Sequence, residues 1–229
     1  MEKNFIPKAV LFDFDGVLGD TLGDILRAWQ STLAEVGVFF EPEEYFLLEG
    51  TKMTEVAKTL CQKHGVKSAD WEKLVQQKEK NYLQNCSFEL YPGAVELLRA
   101  LKNKNIRLAL VSAARLNRIQ GSVPPGFPEL FEVVITGEQT ERGKPFPDPY
   151  LKASEKLGIE PASCLVVENA PLGIESARAA GMRCVAITST LREDKLKKAD
   201  WIISKLEDLV RTPPLAPIFN FNDHNPNSL

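Results

Sequence analysis

The sequence predicts an α/β fold: a mostly parallel sheet flanked by helices, with one inserted all-helical unit. Three observations carry this. Short apolar runs of strand character alternate with amphipathic helical stretches along most of the chain. The alternation breaks once, between about 22 and 89, where the pattern is helical almost throughout. Several apolar runs end in acidic or hydroxyl residues, as expected where parallel strands deliver their carboxyl ends to a ligand.

The first run, Ala9-Val10-Leu11-Phe12, is continuously apolar, the pattern of a strand covered on both faces. In the helical stretch after it, Ile25, Leu26, Trp29, Leu33 and Val36 make one apolar stripe, continued by Val56, Leu60, Leu74 and Leu83. A crossover between neighbouring strands needs far fewer residues. Segment 22–89 is therefore read as an inserted helical cap, hinged near Gly19 and Gly23 on one side and Pro92-Gly93 on the other. The core then comprises 1–21 and 90–212. Further strands are expected at 106–111, 132–136, 164–167, 183–188 and 201–203, and helices at 94–102, 149–157 and 173–180, joined by right-handed crossovers. Segment 213–229 is rich in Pro and Asn without periodicity, which predicts a disordered tail; docking of Phe219 and Phe221 on the core is the alternative.

Composition removes several function classes. The chain has 229 residues, 44% of them hydrophobic, and a formal net charge of -3 with no basic block. That balance argues against a nucleic-acid or membrane-surface protein. Cys61, Cys86, Cys164 and Cys184 form no CxxC pair, and His64 and His224 are the sole histidines, so a zinc site is not expected. The cysteines read as reduced and mostly buried. No apolar run reaches the length of a membrane span. The charged start runs straight into the first strand with no signal peptide, and a cytoplasmic protein is expected. The oligomeric state stays open, with a monomer as the default.

Four short motifs carry chemistry. Asp13-Phe14-Asp15-Gly16-Val17 closes the first strand with two carboxylates; an Asp capping a turn explains one of them but not both. Ser112, in Leu110-Val111-Ser112-Ala113-Ala114-Arg115, ends the second strand, where a hydroxyl and free N–H groups can seat a phosphate. Lys144-Pro145, with Asp148 after it, lies in a Gly/Pro-rich stretch before a helix, where an ammonium can neutralise phosphate and carboxylates. Glu168-Asn169 closes a further strand before Pro171 to Gly173 open a helix; its oxygens suit Mg²⁺, and Asn169 also suits a helix N-cap.

The order Asp-x-Asp-Gly-Val, Ser, Gly-Lys-Pro-x-x-Asp, Val-Glu-Asn-Ala-Pro-x-Gly-Ile resembles the haloacid-dehalogenase-like hydrolases over nearly the whole chain, from about 9 to 210. Within that superfamily it is similar to the phosphoglycolate phosphatase and β-phosphoglucomutase branch. The resemblance implies a Rossmann-like core with a helical cap, and a magnesium-dependent phosphatase acting on a small phosphorylated metabolite. By the same resemblance, Asp13 is the nucleophile that becomes an aspartyl-phosphate, Asp15 the general acid and base, and Ser112 and Lys144 the holders of the phosphoryl group. Mg²⁺ would be bound by Asp13, Asp15, Glu168 and Asn169. The dehalogenase branch lacks the second Asp, so Asp15 favours phosphoryl chemistry. Substrate contacts are expected from the cap, with Glu49, Gly50, Thr51, Lys52 and Lys78 as candidates, and from Ala113 and Arg115; for each cap lysine a solvated helix face is the plain alternative. Asn169 stands where the family usually has Asp, which removes a negative charge from the metal site. Two other readings remain: a sugar phosphomutase, weakened by Ile25 and Met53 where that branch carries basic groups, and a phosphate binder without catalysis.

Overall fold

A computed structural model describes residues 5–219. Six strands form one sheet: β1 (Ala9–Phe12), β2 (Arg107–Val111), β3 (Val133–Ile135), β4 (Cys164–Glu168), β5 (Arg183–Ile187) and β6 (Trp201–Ile203). Their order is β3-β2-β1-β4-β5-β6 and every pair is parallel. β1 is central, which explains its unbroken apolar run: all four of its residues are fully buried. The register aligns three strand ends. Phe12 lies beside Leu110 on one side and Val167 on the other, so the residues just beyond these, on three neighbouring strands, arrive at one edge.

Helices α5 (Ala94–Asn103), α7 (Asp148–Leu157) and α8 (Pro171–Ala179) cover the sheet, close to where the sequence places them. One apolar cluster includes Val10, Phe12, Leu98 and Leu110, and a second includes Leu11, Val111, Tyr150 and Ile174. Alternate residues of β1 thus feed opposite faces, as a pleated strand requires. Between β1 and α5 stand α1 (Leu22–Ala34), α2 (Pro42–Phe46), α3 (Met53–Lys63) and α4 (Trp71–Asn85), packed around a third cluster that includes Ile25, Trp29, Leu33, Val56, Leu60 and Val75. The two connections to this helical unit run side by side. Asp20 N–H donates to Glu89 O at 2.9 Å, and Tyr91 N–H to Leu18 O at 2.9 Å.

Two expectations need correction. Leu83 and Val36 are exposed: Val36 lies past the end of α1, and α4 buries Val75, Lys78, Glu79 and Tyr82 instead. Nor is the start of the expected tail unstructured. Leu215 is fully buried, α9 spans Ala216–Phe219, and Phe219 packs on the core with Lys104 Nζ 5.8 Å from its ring centre. Residues 220–229, including Phe221, lie outside the described residues. The four cysteines are free, three of them buried. Among the described residues no helix is long and apolar enough to cross a membrane.

Candidate active site

The site begins where β1 ends. Asp13 N–H continues the ladder to Val167 O at 3.0 Å, leaving its carboxylate at the sheet edge, almost wholly buried. The chain then folds back. Phe14 O accepts from the N–H groups of Leu18 and Gly19, both at 3.0 Å, and Gly16 takes φ +77°. A Cβ on Gly16 would collide with Asn169 Nδ2, so both the conformation and the close approach demand glycine. This reversal brings Asp15 to the same side as Asp13.

Lys144 is the centre of the site. Its Nζ lies 2.5 Å from Asp13 Oδ1 and 2.5 Å from Glu168 Oε1, all three groups buried. Tyr150 donates its hydroxyl to Glu168 Oε1 at 2.7 Å, and Glu168 Oε2 accepts from the N–H groups of Asn169 (3.0 Å) and Ala170 (3.2 Å). Glu168, expected as a metal ligand, therefore has both oxygens committed inside the protein. Burial, together with repulsion from Glu168 and Asp15 and against the pull of Lys144, pushes the Asp13 carboxyl up to about 7. Burial opposes a charge on Lys144, but Asp13 and Glu168 outweigh it and hold its ammonium above the usual range.

Asp15 has partners that the sequence did not reveal. Arg118, on α6 (Leu116–Ser122), grips it with both terminal nitrogens, Nη1 to Oδ1 at 3.0 Å and Nη2 to Oδ2, and Thr21 Oγ1 donates to Oδ1 at 2.6 Å. Burial would raise Asp15, but Arg118 and Thr21 hold it below the usual carboxylate range. Arg115, the arginine expected in the site, pairs instead with Glu72 on α4. Arg118 is fully buried; with Ile119 and Ser122 it makes the inward face of α6, and that spacing was the one available signal.

The other expected residues divide. Gly50, Thr51, Lys78 and Ala113 line a pocket with Asp13, Asp15, Met53 and Arg118, whose free space is only about 30 Å³, or one or two waters. Ser112 and Lys52 line an adjoining hollow with Lys144. Ser112 Oγ accepts from Ala114 N–H at 3.1 Å, which leaves its own hydrogen free to donate. Lys78 is not a solvated lysine. Its ammonium is buried, 2.9 Å from Glu79 and 5.5 Å from the ring centres of both Trp29 and Tyr82. Burial, and repulsion by Arg118, lower its pKa against the pull of Glu79.

Asn169 sits where core and helical unit meet. Its Nδ2 donates to Glu49 Oε1 at 3.0 Å and to Thr190 Oγ1 at 3.0 Å, while its Oδ1 is buried with no partner among the described residues. No group of three or more acidic, histidine or cysteine side chains among the described residues forms a metal cage by itself. A site for Mg²⁺ needs less, because that ion keeps several waters. The crowded carboxylate of Asp13, the main-chain carbonyl of Asp15 and the orphaned Asn169 Oδ1 are hard oxygens that fit it.

Comparison with known proteins shows what the chain is similar to. The family described as haloacid dehalogenase-like hydrolase matches residues 10–187. Hexitol phosphatase A of Escherichia coli (strain K12) is 30% identical over 211 residues, spanning 90% of this chain and 94% of its own. Beta-phosphoglucomutase of Bacillus subtilis (strain 168) is 28% identical over 215 residues, spanning 88% and 91%. A mutant of CbbY from Rhodobacter sphaeroides, solved in complex with xylulose-(1,5)bisphosphate, superposes with a TM-score of 0.77 at 26% identity, covering 89% of this chain and 96% of that one.

Proposed function

The chain belongs to the haloacid dehalogenase-like hydrolases, and from that membership we propose that it is a magnesium-dependent phosphatase acting in the cytoplasm on a small phosphorylated metabolite through an aspartyl-phosphate on Asp13. The observation that carries this reading is the buried Lys144 ammonium shared at 2.5 Å between Asp13 and Glu168, with Asp15 turned in beside them. A purely structural ion pair has no need of a further carboxylate at that edge.

Asp13 attacks the phosphorus, the bond to the leaving oxygen breaks, and water later cleaves the acyl phosphate to regenerate the carboxylate. Asp15 gives a proton to the leaving oxygen and takes one from the attacking water. Here Arg118 holds Asp15 ionised, so the donor step requires that grip to loosen when substrate enters. Lys144 steadies Asp13 and faces the phosphoryl oxygens, and the free hydroxyl hydrogen of Ser112 serves a second oxygen in the same way. Glu168, tied by four hydrogen bonds, anchors Lys144 rather than a metal. Mg²⁺, held by Asp13, the Asp15 carbonyl and Asn169 Oδ1, would supply the positive charge that offsets repulsion between an anionic nucleophile and an anionic phosphate. Segment 22–89 acts as the cap that closes over the reaction and excludes water.

Phosphate release from p-nitrophenyl phosphate with and without Mg²⁺, followed by a panel of sugar phosphates and phospho-organic acids, tests this. Metal-dependent release is the expected result; none on any ester would refute it. A phosphomutase reading draws support from the likeness to beta-phosphoglucomutase. The apolar pocket wall at Ile25 and Met53 offers no group to handle a second hydroxyl, and weighs against it. With β-glucose 1-phosphate and a trace of the 1,6-bisphosphate, isomerisation faster than phosphate release would favour the mutase.

A further inference from the structure

Glu49 lies in the helical unit, on the turn between α2 and α3, yet its carboxylate is 4% exposed and touches the core. Asn169 Nδ2 donates to its Oε1 at 3.0 Å. Its Oε2 is buried and has no hydrogen-bond partner among the described residues. An ionised carboxylate can only accept, so with Glu49 in that form the Asn169 amide turns its nitrogen towards it, which leaves Asn169 Oδ1 also buried and unpartnered. Two orphaned acceptor oxygens, one from each side of the interface, make a costly arrangement that a water or a cation would relieve.

Formal charge points the same way. Asp13, Glu49 and Glu168 are buried carboxylates around one edge with the partly buried Asp15, and the cations on them are Lys144 and Arg118. Lys78 is answered by its neighbour Glu79. With all four ionised, two negative charges stay uncompensated, the charge of one divalent ion. Asn169 carries none of it.

We propose that Glu49 supplies the charge that Asn169 lacks, completing the divalent-cation site from the helical unit, so that the ion is held jointly by core and cap and its binding draws the two together. This rests on the Mg²⁺ site proposed above and deepens it. Gly50 next to it takes φ +84°, and a Cβ there would lie 3.1 Å from Lys144 Cδ, which sets that turn directly against the catalytic lysine.

Calorimetric titration of Mg²⁺ into the wild type, Glu49→Gln, Asn169→Asp and the double variant reads this without any turnover. Glu49→Gln keeps the shape and should weaken Mg²⁺ by about tenfold or more. Adding Asn169→Asp to it should recover most of the loss. Asn169→Asp alone should gain less, since it sets a carboxylate against Glu49 where an amide donated. Hydrogen exchange supplies a second reading: Mg²⁺ should slow the amides of Asp20 and Tyr91 at the connections in the wild type, and not in Glu49→Gln. Wild-type affinity in Glu49→Gln, or equal slowing of exchange in both, would overturn the role of Glu49 while leaving the metal site standing. A wild type that binds no Mg²⁺ would overturn the metal site as well.

Discussion

Single residues at the strand ends carry the proposed chemistry, and they differ in how much of that role could be read from the chain. Asp13, Asp15 and Glu168 follow buried apolar runs, and a charge in that position is expensive without a purpose. Arg118 carried no such mark, because on a seven-residue helix beside Arg115 it looks like one more surface arginine. Removing it is informative. In Arg118→Gln the partly buried Asp15 loses its fully buried counter-ion; breaking a wholly buried pair costs about 3 to 5 kcal/mol, and the loss here should fall near the lower end of that range. Asp15 is held below its ordinary 3.8 in the folded protein. Its contribution is therefore present above that pH and is lost as pH falls through the lower folded value. Urea midpoints should show the largest gap between wild type and Arg118→Gln near neutrality, narrowing on acidification; a gap independent of pH would contradict the ion-pair account. Asp15→Asn should cost a factor of roughly 10² to 10⁴ on an alkyl phosphate and much less on p-nitrophenyl phosphate, whose leaving group needs no proton. Equal losses would remove the general-acid role.

Among the elements, the strands and the helices flanking the sheet were legible because period and burial agree in them. The inward face of α4 was not. Its stripe is broken by Lys78 and Glu79, a charged pair that stays buried with the lysine ammonium bonded to Glu79 and 5.5 Å from the ring centres of Trp29 and Tyr82. The segment after Thr212 was equally opaque: Pro-rich composition hid a short helix anchored by Leu215. The loop from Phe14 to Gly19 is the element on which the site most depends. Gly16→Ala would force an L side chain into a left-handed backbone and against Asn169, costing about 1 to 3 kcal/mol in backbone strain alone. The expected outcome is a lower Tm and a weaker Mg²⁺ response together, measured by thermal unfolding with and without the ion. A Gly16→Ala protein with unchanged Tm would show that the loop is less constrained than its geometry implies.

At the scale of the whole molecule, one sheet and one helical unit meet over a pocket of about 30 Å³, too small for a phosphorylated sugar. The connections at Leu18–Asp20 and Glu89–Tyr91 run side by side, and in the proposed function they are where the unit would swing to admit substrate. Sequence pattern revealed the insertion through a length no simple crossover needs. It did not reveal that the insertion lends Glu49 to the core, because a contact between residues 120 positions apart leaves no trace in local periodicity. In the proposed function all of these parts serve one event, the transfer of a phosphoryl group to Asp13. Rapid acid quench with a radiolabelled phosphate ester and Mg²⁺, followed by peptide mapping, tests that event directly. Label should appear on the peptide carrying Asp13 in the wild type and be absent from Asp13→Asn, with turnover in that variant lowered by more than about a hundredfold; label on another residue, or an Asp13→Asn enzyme that still turns over at a comparable rate, would contradict it.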